Sequence, residues 1–426
     1  MFRKLYILLV VVLIGCNSRA AERSTSNEVP TRRDECEVLI GCNSRATERG
    51  TSHEVPTRRD ECEVLVGATD TTCYMPLLRD RRVAILANHT AMFNEELHLV
   101  DMLHHEGIDI VGIFAPEHGF RGSVEAGMEV ENGIDPATGI RILSLYNGNT
   151  QRPSDEVMRS FDVLVVDMQD VGLRFYTYYI SMLRMIEACA DFNCEVIVLD
   201  RPNPNGHYVD GPTLDMRYKS GVGWLPIPVV HGLTMGEIAT MAIGEGWVRE
   251  AQLTVVKCRN YDHQTHYTLP IAPSPNLPTQ HSIYLYPTTC LFEGTVLSMG
   301  RGTEAPFEIF GHPELTGYEF EFTPMPNAGS ANPPHNGRVC YGQDLRSLSN
   351  EEVWAEGIDL SYIIEAYHNL DMGASFFTPM FEKLIGVSWV REMIIAGQTA
   401  EAIEARWAED VARFKELRRK YLLYNE

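Results

Sequence analysis

From residue 70 onward, apolar runs of a strand's length alternate with longer amphipathic stretches. Residues 82–87 predict a buried strand, 95–106 a helix, 108–114 a second strand, 161–168 a third, 178–190 a helix and 194–199 a fourth strand. Unbroken apolar strands separated by helices predict an α/β fold with a Rossmann-like parallel sheet, because a strand covered on both faces has no polar side to alternate with. Ligands of such sheets bind outside the carboxyl ends of the strands. Each predicted strand is followed there by polar residues. They are Asn88-His89-Thr90, then Pro116-Glu117-His118-Gly119-Phe120-Arg121-Gly122, then Gln169-Asp170-Val171-Gly172-Leu173-Arg174, then Asp200-Arg201-Pro202-Asn203-Pro204. Four such loops in register predict one shared site. No G-x-G-x-x-G opens a helix and no G-x-x-x-x-G-K-[ST] occurs, so nucleotide binding is disfavoured.

After residue 260 the pattern breaks into proline- and glycine-rich segments, including Ala272-Pro273-Ser274-Pro275-Asn276-Leu277-Pro278, Phe292-Glu293-Gly294-Thr295 and Gly300-Arg301-Gly302-Thr303-Glu304. This predicts a Rossmann-like domain over 65–260 and a smaller α+β C-terminal domain over 261–426, with helices near 361–369 and 400–421. Rigid loops would then hold Glu293, Arg301 and Glu304 toward an interdomain cleft.

The first sixteen residues read as a lipoprotein signal peptide. Arg3 and Lys4 precede an apolar stretch, 5–15, too short to span a bilayer comfortably, and Leu13-Ile14-Gly15-Cys16 resembles a lipobox whose Cys16 is acylated. Residues 13–38 then recur as 39–64 with differences only at positions 21/47, 24/50 and 27/53. Two polar copies cannot build a solenoid core, so 17–64 reads as a flexible tether. Cys42 is a copy of the lipobox cysteine without an apolar run before it. Of the ten cysteines, Cys189 and Cys194 could pair or remain packed thiols, and no CxxC spacing suggests zinc. The expected location is the bacterial envelope, periplasm or outer membrane, with the lipid anchor as the only membrane contact. The net charge of −22 excludes a general nucleic-acid surface and requires specific arginines for any anionic ligand. No protein partner is predicted.

The loop motifs, together with Asp167-Met168-Gln169-Asp170-Val171-Gly172-Leu173-Arg174-Phe175-Tyr176-Thr177-Tyr178, His231-Gly232-Leu233-Thr234, Ser274-Pro275-Asn276-Leu277-Pro278 and Phe292-Glu293-Gly294-Thr295, resemble the NamZ-type exo-β-N-acetylmuramidases. The resemblance covers about residues 75–425; Ala91 stands where a glycine usually follows Asn-His-Thr. It implies a Rossmann-like domain, a smaller C-terminal domain and a site in the cleft between them. It also implies metal- and cofactor-free release of N-acetylmuramic acid (MurNAc) from the non-reducing end of peptidoglycan fragments such as MurNAc-GlcNAc.

Glycoside hydrolysis needs a carboxyl group that stays protonated near neutrality, and a second group to meet the oxocarbenium-like centre. Glu117, after an apolar strand and a proline and beside His118, is the leading acid; the resemblance points to it as well. Asp167, Asp170, Asp200, Glu293 and Glu304 compete as the second carboxylate, with Asp170 and Glu304 preferred, and the substrate's own acetamido oxygen is an alternative. MurNAc differs from N-acetylglucosamine by a lactyl carboxylate, which a planar guanidinium suits. Arg121, Arg174, Arg201 and Arg301 are available, Arg174 and Arg301 being favoured, with Tyr176 for stacking and Asn88, His89, Gln169, Asn203, His231 and Glu293 as further binding residues. Two other readings stand beside this one: a non-catalytic muropeptide-binding envelope lipoprotein, and a metallohydrolase using His89, His118 and His231.

Overall fold

The computed structural model describes residues 63–116, 119–121, 132–145 and 152–426. The predicted signal peptide, Cys16 and nearly all of the duplicated tether lie outside the described residues, as do Glu117 and His118. All the described residues fall in one compact unit.

Seven strands form the main sheet: β1 (Arg82–Ala87), β2 (Asp109–Ala115), β3 (Gly133–Ile134), β4 (Arg141–Ser144), β5 (Val163–Asp167), β6 (Glu195–Leu199) and β7 (Leu253–Val256), ordered β3-β4-β2-β1-β5-β6-β7. All neighbours are parallel except β3 and β4. The chain builds outward from β1 to β2 and β4, then returns to the other side of β1 with β5. That reversal makes the carboxyl ends of β1 and β5 the topological switch point, where open α/β sheets bind ligands.

Both faces are buried, as the apolar runs require. Val83, Ile85, Val163, Val165, Ile197 and Leu199 pack under Tyr74, Leu78, Leu99 and Leu103. Leu86, Leu164, Val166, Val196 and Val198 pack against Met182, Leu183, Ile186 and Ile238, and this second core continues into Phe292, Phe310, Phe381 and Trp407. The hydrophobic interior therefore crosses residue 260 without a break. The later segment adds an antiparallel sheet of β8 (Ile309–His312), β9 (Phe320–Phe322) and β10 (Cys340–Asp344), ordered β8-β10-β9, and ends in the helix Ala400–Arg418.

The last residues fold back over the first sheet. Tyr424 donates its hydroxyl to Asp200 Oδ2 (2.7 Å) and accepts from the Cys258 amide (2.9 Å), while the Leu423 amide donates to Glu237 Oε1 (2.8 Å).

One predicted boundary moves for a local reason. The helix expected over 95–106 spans Leu99–His105, because Asn94 Oδ1 takes the amides of Glu96 and Leu97 into a turn and His98 Nδ1 caps the helix through the Val100 amide. The six described cysteines outside the tether, Cys189 and Cys194 included, are free thiols.

Candidate active site

At the switch point the loops are welded by side chains. Asn88 Oδ1 accepts from the Thr90 amide (3.1 Å) and hydroxyl (2.6 Å), and Thr90 Oγ1 accepts from the Gln169 amide (3.0 Å). Gln169 Nε2 donates to the carbonyls of Asp170 (2.8 Å) and Pro202 (2.7 Å). The loops after β1, β5 and β6 thus form one rigid rim. The strand β2 lies beside β1, so Pro116 leaves the sheet at that end, and its carbonyl accepts from the Gly119 amide (3.1 Å). His89 extends the rim by bonding through Nε2 to the Ala272 carbonyl (2.9 Å), in the proline-rich segment.

Several residues expected to meet substrate have partners within the protein. Arg174 is completely buried; Nη1 donates to the carbonyls of Pro212 and Ile227 and Nη2 to that of Leu384, all at 2.8 Å. Arg201 forms a two-pronged ion pair with Asp167 (2.5 and 2.9 Å) and also bonds to the Met92 carbonyl. Arg121 pairs with Asp135 (2.9 Å) and Asp101 (3.3 Å) and covers the Phe120 ring. Asn203 is buried between the Leu233 carbonyl and the Asn205 amide. It presses on Gly172, where a Cβ would lie 2.0 Å from Asn203 Oδ1 and φ is +81°, so only glycine fits. Asn88 and Gln169 serve the weld. Polar loop residues whose partners are carbonyls far along the chain look the same in sequence as residues waiting for a ligand.

His231 is enclosed, with Nδ1 accepting from the Leu233 amide, and burial together with the cations of Arg418 and Arg174 pulls its pKa down to about 3. It stays neutral. With His89 already bonded to a carbonyl, the three-histidine metal site is not assembled from the two members described. Among the described residues, no group of three or more His, Cys, Asp or Glu side chains is placed to hold a metal.

The second-carboxylate candidates separate as well. Asp170 is enclosed, accepts from the Gly172 amide (2.9 Å), and is pushed up to about 7 by burial; it does not line the cavity described next. Asp200 accepts from the Thr234 hydroxyl, the Gly236 amide and Tyr424, and burial raises it to about 6. Glu304 is exposed and also lies off the cavity.

That cavity, of about 120 Å³, opens where the loop after β5 meets the later segment. Tyr176, Tyr286, Phe307, Asn276, Glu293 and Arg301 are among the residues that line it. The hydroxyls of Tyr176 and Tyr178 both donate to the Pro273 carbonyl (3.0 and 3.1 Å), fixing the two rings against the proline-rich segment. Glu293 Oε1 accepts from Arg301 Nε (2.7 Å), and the Arg301 guanidinium stands 5.0 Å over Phe307. Sequence reasoning reached Tyr176, Glu293 and Arg301 but missed Tyr286, because an aromatic at helical spacing on an apolar helix carries no mark of facing a cavity.

A parallel α/β sheet with a polar rim at its switch point, and beside it an aromatic cavity holding an acid and an arginine, defines a protein built to bind a small polar ligand. The chain belongs to the NamZ exo-β-N-acetylmuramidase family: residues 83–281 match its N-terminal domain and residues 284–424 its C-terminal domain. It is 37% identical over 370 residues to the peptidoglycan β-N-acetylmuramidase NamZ of Bacillus subtilis (strain 168), covering 82% of this chain and 89% of the relative. Among solved structures it is similar to two DUF1343-family proteins of Bacteroides fragilis NCTC 9343. One matches at 54% identity and a TM-score of 0.81, the other at 28% and 0.75, each comparison covering 86% of this chain and all of the other.

Proposed function

We infer that this protein is an exo-acting glycoside hydrolase that releases N-acetylmuramic acid from the non-reducing end of peptidoglycan fragments. The observation that carries the reading is the 37% identity, over most of both chains, to a peptidoglycan β-N-acetylmuramidase. The cavity agrees with it chemically: aromatic walls suit the apolar face of a sugar, and a guanidinium suits an acidic one.

In this reading Glu117 donates the proton to the departing sugar oxygen. Support comes from its position in the sequence, two residues beyond the end of β2, the strand that pairs with β1. Glu293, bonded to Arg301, serves to hold that arginine rather than to attack the anomeric carbon. The envelope location and the lipid anchor on Cys16 are part of the same proposal, resting on Arg3, Lys4, the apolar stretch 5–15 and the lipobox-like end.

The test is incubation with MurNAc-GlcNAc and analysis of the products. Wild type releases free MurNAc and leaves the internal bonds of long glycans largely intact. Glu117→Gln loses about 10²- to 10⁴-fold on the disaccharide, the usual worth of a positioned acid. It loses far less on nitrophenyl-MurNAc, whose leaving group departs with little protonation. Equal losses on both substrates would remove Glu117 from the acid role, and no release by folded wild type would favour the binding-lipoprotein reading.

A further inference from the structure

Four arginines stand in the motif loops, and three are committed elsewhere: Arg121 to Asp135 and Asp101, Arg201 to Asp167, and Arg174 to three carbonyls. Arg301 differs. Its Nε is bonded to Glu293, its plane is backed by Phe307, and neither Nη group has a protein acceptor among the described residues. The side chain is only 18% exposed, so this cation is held still beside the cavity rather than waving in solvent. A fixed guanidinium with one edge anchored and the other uncommitted is preorganised for a two-pronged bond to a carboxylate.

The cavity's lining narrows the occupant. Its volume of about 120 Å³ has room for a three-carbon acid arm. Its walls are aromatic at Tyr176, Tyr286 and Phe307 and polar at Ser274, Asn276 and Glu293, and the Tyr176 hydroxyl is occupied by the Pro273 carbonyl, so the aromatic part of the wall accepts a methyl group. A small acid carrying a methyl matches the arm that distinguishes MurNAc from N-acetylglucosamine.

We propose that this cavity receives the 3-O-lactyl group of the terminal MurNAc, with the Nη edge of Arg301 clamping its carboxylate and Glu293 acting as the positioning residue that holds the clamp. The proposal rests on the muramidase reading and adds to it the site of substrate choice. Glu293 engages Nε, so the substrate's carboxylate takes the opposite edge of the same cation.

The experiment uses the full chain and measures inhibition of MurNAc-GlcNAc turnover by free N-acetylmuramic acid and by its lactyl methyl ester. For wild type the acid inhibits about 10- to 100-fold better than the ester, the range for charge-assisted bonds to one carboxylate. Arg301→Met removes the preference, giving acid and ester the same weak inhibition and raising KM for the disaccharide more than it lowers kcat. Arg301→Lys, which keeps a cation beside Glu293 but not the planar fork, restores part of the preference, and Glu293→Gln reduces it with the fold intact. Should Arg301→Met fail to fold, the lysine variant decides. Wild type without an acid-over-ester preference, no inhibition by the acid at a hundred times the disaccharide's KM, or an Arg301 variant with the full preference retained would each overturn the proposal. Failure of wild type to release MurNAc at all would instead count against the muramidase reading.

Discussion

Replacing Arg174 by methionine removes a buried cation while keeping much of its stem, and the structure sets the cost. Three bonds of 2.8 Å to the carbonyls of Pro212, Ile227 and Leu384 disappear, of which Ile227 keeps the Leu214 amide as a donor. Hydrogen bonds from a charged donor contribute about 1.5–3 kcal/mol each. Against this, no carboxylate among the described residues compensates the charge: burial pulls the Arg174 pKa from 12.5 to about 10, a penalty of about 3 kcal/mol at ~1.36 kcal/mol per unit. The difference is a loss of about 3 kcal/mol, or about 4 °C in melting temperature for a domain of this size. Chemical denaturation and thermal melting measure that loss, and steady-state kinetics on MurNAc-GlcNAc at a temperature where the variant is folded measures the rest. KM should stay within about twofold of wild type. An Arg174→Met enzyme of undiminished stability whose KM rises tenfold would refute the assignment and return Arg174 to the substrate. Gly386→Ala offers a second approach to the same point, since its Cβ would lie 2.5 Å from Arg174 Nη2 at a φ of +87°.

The buried carboxyl of Asp170, raised to about 7, binds its proton more tightly in the folded than in the unfolded chain. Its stabilising contribution is therefore full below about pH 4 and lost as pH rises through 7. The urea midpoint of wild type should fall across that window more steeply than that of Asp170→Asn, and parallel curves would disprove the burial argument. Turnover should survive exhaustive chelation, because a carboxylic acid supplies the chemistry; abolition by EDTA with recovery on adding zinc would revive the histidine reading. Cys16→Ser expressed in bacteria should lose lipid labelling and leave the membrane fraction, and an unchanged membrane fraction would reject the lipobox.

The sheet was legible because its central strands are apolar on both faces, so β1, β2, β5 and β6 announce themselves within a residue or two of their ends. The strands β4 and β7 escaped notice: β4 is only four residues long and begins on Arg141, and β7 is only half covered, so neither carries a long apolar run. The polar rim was legible as a set but not in its division of labour. Whether Arg174 or Arg301 is free depends on carbonyls at 212, 227 and 384 and on a glutamate at 293, and pairings of that range leave no local trace in the chain. The burial of Asp170 was hidden for a related reason, since its enclosure depends on elements far along the chain.

The closing of the final residues over the first sheet bears on the order in which the molecule can be assembled. A chain made from its amino end has Asp200 and Glu237 in place long before Leu423 and Tyr424 exist to satisfy them. The Arg174 guanidinium likewise waits for the carbonyl of Leu384, 210 positions later. Until then the sheet carries enclosed polar groups lacking part of their complement, and apolar surface destined for Phe292, Phe381 and Trp407 remains open. Contacts of such long sequence separation slow folding and leave a half-made chain prone to wrong association. The early strands are thus held short of their final stability until synthesis is nearly finished.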